Sequence, residues 1–178
     1  MNGNGGLDLA VGNENGPNRV YLDQLDQGEL LETTASWMDD DGDSTSSVAW
    51  GDMDRDGDLD LAVSHPGGQD LVYVNDGSAG FGSTTNFGTG TDQTRGIALA
   101  DMDRDGDLDI VAALHSEETL GWWENVSGDG SVWVEHAATT TLSGPLAVHA
   151  ADLVGAGDRT RKVLHSGLLW SCLQPSKP

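Results

Sequence analysis

The sequence predicts an all-β chain assembled from repeated four-stranded antiparallel units, on three observations. The nonapeptide Asp52-Met53-Asp54-Arg55-Asp56-Gly57-Asp58-Leu59-Asp60 recurs unchanged at 101–109, 49 residues later. Apolar strand-like segments frame each copy: SVAWG (47–51) and LAVS (61–64) around the first, GIALA (96–100) and IVAAL (110–114) around the second. No ten-residue stretch carries helical periodicity, and 25 glycines in 178 residues, about twice the usual share, point to frequent turns.

The chain opens in a partial repeat. Moving the register back from the first nonapeptide aligns Asn2, Asn4, Gly5 and Asp8 with Asp54, Asp56, Gly57 and Asp60, and puts Met1 on Met53. In the second repeat SVAWG and LAVS predict the strands beside the Asp loop. Gly67-Gly68 then marks a turn, LVYVN (71–75) a third strand, Asn75-Asp76-Gly77 another turn, and the stretch around 80–87 an outer strand. The third repeat runs the same course through GWWEN (121–125), the turn Ser127-Gly128-Asp129-Gly130 and an outer strand around 131–137. A degenerate fourth copy begins with PLAVHAA (145–151) and Asp152-Leu153-Val154-Gly155-Ala156-Gly157-Asp158-Arg159-Thr160, which keeps the glycine and loses three carboxylates. Its strands are expected at 145–151 and 162–169. Other residues keep the phase: His65, His115 and His165 lie 13, 14 and 13 residues after their loop starts, and Tyr21, Tyr73 and Trp123 share a register.

Four short antiparallel strands in about fifty residues make the blade of a β-propeller. The expected organisation is one repeat domain over 1–178, with repeats at roughly 1–45 (partial), 46–94, 95–144 and 145–178 (degenerate). About three and a half blades form an incomplete ring, because propellers close with about four to eight and an open stack bares apolar faces. Missing blades of a longer chain would complete it, as would a homo-oligomer in which the last strands meet a neighbour's first blade.

Thirty acidic residues against eight basic ones set a formal net charge of −22 and a pI near 4.1. A phosphate backbone would be repelled, which excludes nucleic-acid binding through a basic surface. No apolar run approaches the ~18 residues of a membrane span, and the first residues lack the basic start and apolar core of a signal peptide. The lone Cys172 allows neither an intramolecular disulfide nor a Cys-based zinc site.

Ten of the acids sit in the two nonapeptides. Alternate carboxylates can converge where the chain curls, and Gly57 supplies a backbone geometry that other residues resist. Carboxylates this close repel one another unless a cation lies among them. Hard anionic oxygens in this number suit Ca²⁺, with ~6–8 oxygen ligands, better than Mg²⁺, which retains water. The expected side-chain ligands are Asp52, Asp54, Asp56 and Asp60, with Asp58 giving its carbonyl, and likewise Asp101, Asp103, Asp105 and Asp109 with Asp107: about two ions per chain. Asn2, Asn4 and Asp8 are weaker candidates.

An EF-hand loop would need an acid at position 12, where Val63 and Ala112 stand. Closing the loop with Asp at position 9 and running straight into an apolar strand resembles the FG-GAP/VCBS repeat of integrin α-chain propellers and many bacterial surface proteins. VAWGDMDRDGDLDLAV (48–63), IALADMDRDGDLDIVA (97–112) and the hairpin LVYVNDGSAGF (71–81) carry the resemblance. It implies a Ca²⁺-binding loop between the first and second strands of a blade, with the ion acting mainly as a fold device.

The in-phase histidines could form a metal-binding ring, but Asn13 stands at the first repeat's position and a turn role is the better reading. Strand alternation puts Trp122 and Trp123 on opposite faces, so one belongs to the core and the other is a candidate for exposure, with core packing the better reading of the tryptophans. The run Asp39-Asp40-Asp41-Gly42-Asp43 lacks the alternating spacing and reads as an acidic connector. No catalytic motif is present. The expectation is a calcium-binding extracellular module for adhesion or recognition of a protein or carbohydrate, not an enzyme. The alternative is a lectin-like carbohydrate binder or a polysaccharide-active enzyme.

Overall fold

The computed structural model describes residues 6–24, 28, 31–40, 42–77, 80–139, 141–151, 160–165 and 168–173, with the backbone alone given at 137, 139 and beyond 151. Four antiparallel sheets follow one another along the chain. The first holds β1 (Leu9–Val11), β2 (Arg19–Tyr21) and β3 (Trp37–Met38). The second holds β4 (Ser47–Gly51), β5 (Asp60–Ser64), β6 (Asp70–Asn75) and β7 (Phe81–Phe87), and the third β8 (Thr94–Ala100), β9 (Asp109–Leu114), β10 (Thr119–Asn125) and β11 (Trp133–Thr139). The fourth holds β12 (Val148–Ala151), β13 (Thr160–His165) and β14 (Leu168–Leu173). Each sheet is a meander with strands in chain order, the pattern of propeller blades. The single strand expected over 162–169 is instead divided between two antiparallel strands, β13 and β14, with His165 paired to Leu168.

Strand register bears out the repeat. Leu9 faces Tyr21, Leu61 faces Tyr73 and Ile110 faces Trp123, the same pair in three successive blades. The offset from the first blade to the second is 52 residues, as the alignment of Asp8 with Asp60 requires.

Adjacent sheets stack through apolar layers. Val20 and Trp37 of the first blade meet Leu61, Val63 and Tyr73 of the second. Met53, Ala62, Val72 and Phe87 of the second meet Ile97, Ile110, Ala112 and Trp123 of the third, where Phe87 and Trp123 pack edge to face at 5.6 Å. Val111, Ala113, Leu120 and Trp122 of the third meet Val148 of the fourth. An inner blade is thus covered on both faces, which is why every residue of β5 and β9 is buried despite the two-residue alternation of a strand. For the same reason the division of Trp122 and Trp123 into one core and one exposed indole does not hold: they occupy different faces and are only 8% and 3% exposed.

Close stacking sets a local sequence requirement at Gly51, the last residue of β4. A Cβ there would come within 2.5 Å of Leu99 and 2.8 Å of Leu108 in the next blade. The Asp loop starts immediately after this pinch point.

Candidate metal centre

Each nonapeptide joins the first and second strands of its blade, β4 to β5 and β8 to β9. The loop begins with an alternation inherited from the strand. Met53 turns inward and is buried between the second and third blades, while Asp52 and Asp54 on either side are only partly buried. Met102 does the same between the third and fourth. The chain then reverses through Arg55 and Gly57, at φ of 62° and 98°, and through Arg104 and Gly106, at 71° and 99°. Glycine adopts this left-handed region freely, whereas arginine does so at a steric cost of roughly 1 kcal/mol.

The reversal returns the last aspartate of the loop to the first two. One carboxylate oxygen from each of Asp52, Asp54 and Asp60 lies within 4.8 Å of the other two, and Asp101, Asp103 and Asp109 form the same triad. Asp60 is fully buried and held by two backbone donors, Met53 N–H at 2.8 Å and Asn75 N–H at 2.9 Å. Asp109 is held likewise by Met102 N–H at 2.6 Å and Asn125 N–H at 3.0 Å. Asp54 Oδ1 accepts from Asp56 N–H and Asp103 Oδ1 from Asp105 N–H, each at 3.1 Å. The rim of each site is therefore shaped by the loop's own amides.

Without a cation the arrangement is electrostatically costly. Burial raises the Asp60 carboxyl above its ordinary value and lifts Asp109 to about 6, against the lowering effect of the backbone donors. Asp54 and Asp103 are also raised, by burial first and by neighbouring carboxylates after it. Asp52 Oδ1 is shielded from solvent with no hydrogen-bond partner, so one acceptor of a triad residue keeps its lone pairs unused. Oxygen-only donors, several of them anionic, fit a hard divalent cation.

The other predicted ligands lie around the triads. Asp56 and Asp105 are exposed and accept from Asp58 N–H at 2.8 Å and Asp107 N–H at 3.0 Å. Asp58 lies against Gly77, two residues beyond the end of β6. The Asp107 side chain is buried and paired with the Arg55 guanidinium of the preceding blade's loop. Asn2, Asn4 and the fourth copy, 152–159, lie outside the described residues. Asp8 occupies its aligned place, accepting Asp23 N–H at 2.8 Å as Asp60 accepts Asn75, but it joins no triad among the described residues. Asp39 is buried and accepts the Asn18 N–H at 2.8 Å, one step beyond the Arg19–Met38 pair of β2 and β3.

His65 is buried, its Nδ1 2.7 Å from Gln69 O and its N–H donating to Asp70 Oδ1 at 2.7 Å. Asn13 N–H donates in the same way to Asn18 Oδ1 at 3.0 Å. These are turn residues of the second hairpin; the His165 side chain lies outside the described residues. Sequence reasoning missed Asn75 and Asn125, whose backbones secure the last aspartate of each loop. Their signal was the shared phase of Asp23, Asn75 and Asn125, each two residues beyond the in-phase aromatic.

A family model described as an FG-GAP-like repeat matches residues 1–63 and 61–112. None of the curated proteins compared with the chain matches it. Among solved structures, it is similar to one described as the crystal structure of BBS1N in complex with ARL6DN, soaked with lead. The TM-score is 0.57 at 11% sequence identity, a likeness of fold alone. The match covers 100% of this chain and 55% of that one, so the chain spans little more than half its length.

Proposed function

The chain belongs to the FG-GAP-like repeat family, and from that premise we propose that it is a calcium-binding propeller module for extracellular adhesion or recognition, in which Ca²⁺ is mainly structural. The observation that carries this reading is the pair of identical triads, Asp52/Asp54/Asp60 and Asp101/Asp103/Asp109, at equivalent loops of adjacent blades. Asp56 and Asp105 would join them as side-chain ligands and Asp58 and Asp107 through their carbonyls, giving one ion per loop. The bound ion would neutralise the clustered carboxylates and fix a loop whose Met53 or Met102 is a wedge between blades. Calcium outside the cell is abundant enough to fill weak sites, in the ~10⁻⁴–10⁻³ M range of extracellular modules.

No helix among the described residues is long and apolar enough to cross a membrane. The whole of 1–178 is read as one repeat domain, completed by further blades or by a second copy. A lectin-like or enzymatic propeller would be favoured by an exposed indole beside paired carboxylates. Burial of the tandem Trp122 and Trp123 supports the structural and adhesive reading instead.

Thermal unfolding with Ca²⁺ and with a chelator, together with counting of bound ions, tests the proposal. A calcium-dependent rise in midpoint with about two ions per chain supports it. No bound ion and no shift would overturn it.

A further inference from the structure

Resting on the calcium reading, we infer that the two cation sites are coupled, so that filling one raises the affinity of the other, and that Asn125 and the Arg55–Asp107 pair carry the coupling. The path is continuous. Asp60 of the first triad holds Met53 N–H at 2.8 Å, and Met53 lies between Asp52 and Asp54, the other two members. The Met53 carbonyl accepts from the side chain of Asn125, 72 residues away, at 2.8 Å. The backbone N–H of the same Asn125 donates at 3.0 Å to Asp109 of the second triad.

Asn125 is completely buried, and Gly130 N–H donates to its Oδ1 at 3.0 Å, so its amide has one orientation and the NH₂ faces Met53. A second strap runs outside it: Arg55, adjacent to Asp54, pairs with Asp107, two residues before Asp109. Met53 itself is wedged in the apolar layer shared by both blades.

The two loops therefore cannot relax independently. Repulsion among Asp52, Asp54 and Asp60 spreads the first loop when its cation leaves, which draws the Met53 carbonyl from Asn125 and slackens the donor on Asp109. A cation at either site restores that geometry for both, so the ordering required by the second ion is already partly made by the first. Direct repulsion between two divalent ions acts the other way, and salt screens it in exposed loops. The shared ordering sets the sign.

The test is calorimetric titration of the full chain with Ca²⁺, in the unaltered protein and in D101N/D103N, where the second site is disabled. The first site is expected to weaken about 10-fold when the second is lost, within the ~5- to 150-fold span of typical coupling. In N125S and, separately, in the exposed variant R55A, that ratio is expected to shrink toward one. R55A keeps the test decisive if N125S folds poorly. A ratio unaffected by either variant, or one that vanishes in ~1 M salt, where charges are screened beyond ~3 Å, overturns the coupling while leaving the calcium reading intact. An unaltered chain that binds no Ca²⁺ overturns both.

Discussion

Residues 52–60 and 101–109 are the same nine amino acids on equivalent loops, yet their surroundings differ. Met53 sinks into the layer that joins two four-stranded blades, whereas Met102 lies against the fourth sheet, which has three strands among the described residues. Asp107 is buried and paired with Arg55, while Asp58 is half-buried. The sequence differs one repeat upstream as well: the residue aligned with Arg55 in the first repeat is Gly3, which carries no charged side chain. A propeller loop is thus specified twice, once by its own residues, which set the triad, and once by the preceding blade, which sets how tightly the triad is held.

The largest test of that comparison is removal of the cation from both loops. On the calcium reading, each site at 100 times Kd would contribute about 2.7 kcal/mol, so chelation should lower the midpoint by on the order of 10 °C for a chain of this size. D52N/D54N and D101N/D103N should each abolish one site and part of the shift, read by calorimetry with ion counting. Next in size is the apolar wedge: M53A should cost about 3 kcal/mol and M102A nearer 2, within the ~2–5 expected for truncating a buried methionine. Equal losses in denaturant unfolding would show that the two layers hold their loops alike.

A third test moves from the loops to the hairpins behind them, where Asp70 in the second blade stands in the role of Asn18 in the first. Burial lifts the Asp70 carboxyl to about 6, despite hydrogen bonds from His65 N–H and the Thr94 hydroxyl. A carboxyl raised in the folded state contributes its full stability below the unfolded value near 4, and loses it as the pH climbs through about 6. The stability of the unaltered chain relative to D70N should therefore fall by on the order of 2 kcal/mol between pH 4 and pH 7. A difference that stays flat across that window would place the Asp70 carboxyl at an ordinary pKa. The smallest effect is expected from R55A. Arg55 is largely exposed, so its loss should cost no more than about 1 kcal/mol. In the calcium-free chain its mark would be a freer Asp107, visible as faster exchange of the Asp107 amide, with Asp58 unchanged.

What could be read from the sequence follows the same division. The all-β repeat, the placement of the Asp loops between first and second strands, and the register of Asp8 with Asp60 all rest on local alternation and on a period, and these survive in a single chain read in order. The bridge from Asn125 to Met53 spans 72 residues, and the Arg55–Asp107 pair joins two copies of one motif; neither is visible until blades are stacked. Core packing of the tandem Trp122-Trp123 is the better reading and holds for both, but alternation alone leaves one open to exposure, because it assigns faces and does not say that both faces of an inner blade are covered. Asp70 looks like an ordinary strand-opening residue until Thr94 of the next blade lies against it.

The inward turn of the two loop methionines makes them clocks for blade separation. Met38 is 54% exposed, whereas Met53 and Met102 are 1% and 5% exposed. A thioether reacts with peroxide only where the oxidant reaches its sulfur, and sulfoxide formation makes the side chain polar. Met38 should oxidise at the rate of a free residue, and Met53 and Met102 only when a blade opens, at a rate set by that opening. Once either is converted, a polar wedge stands where an apolar one held two blades together, so each opening that is caught in this way makes the next one easier.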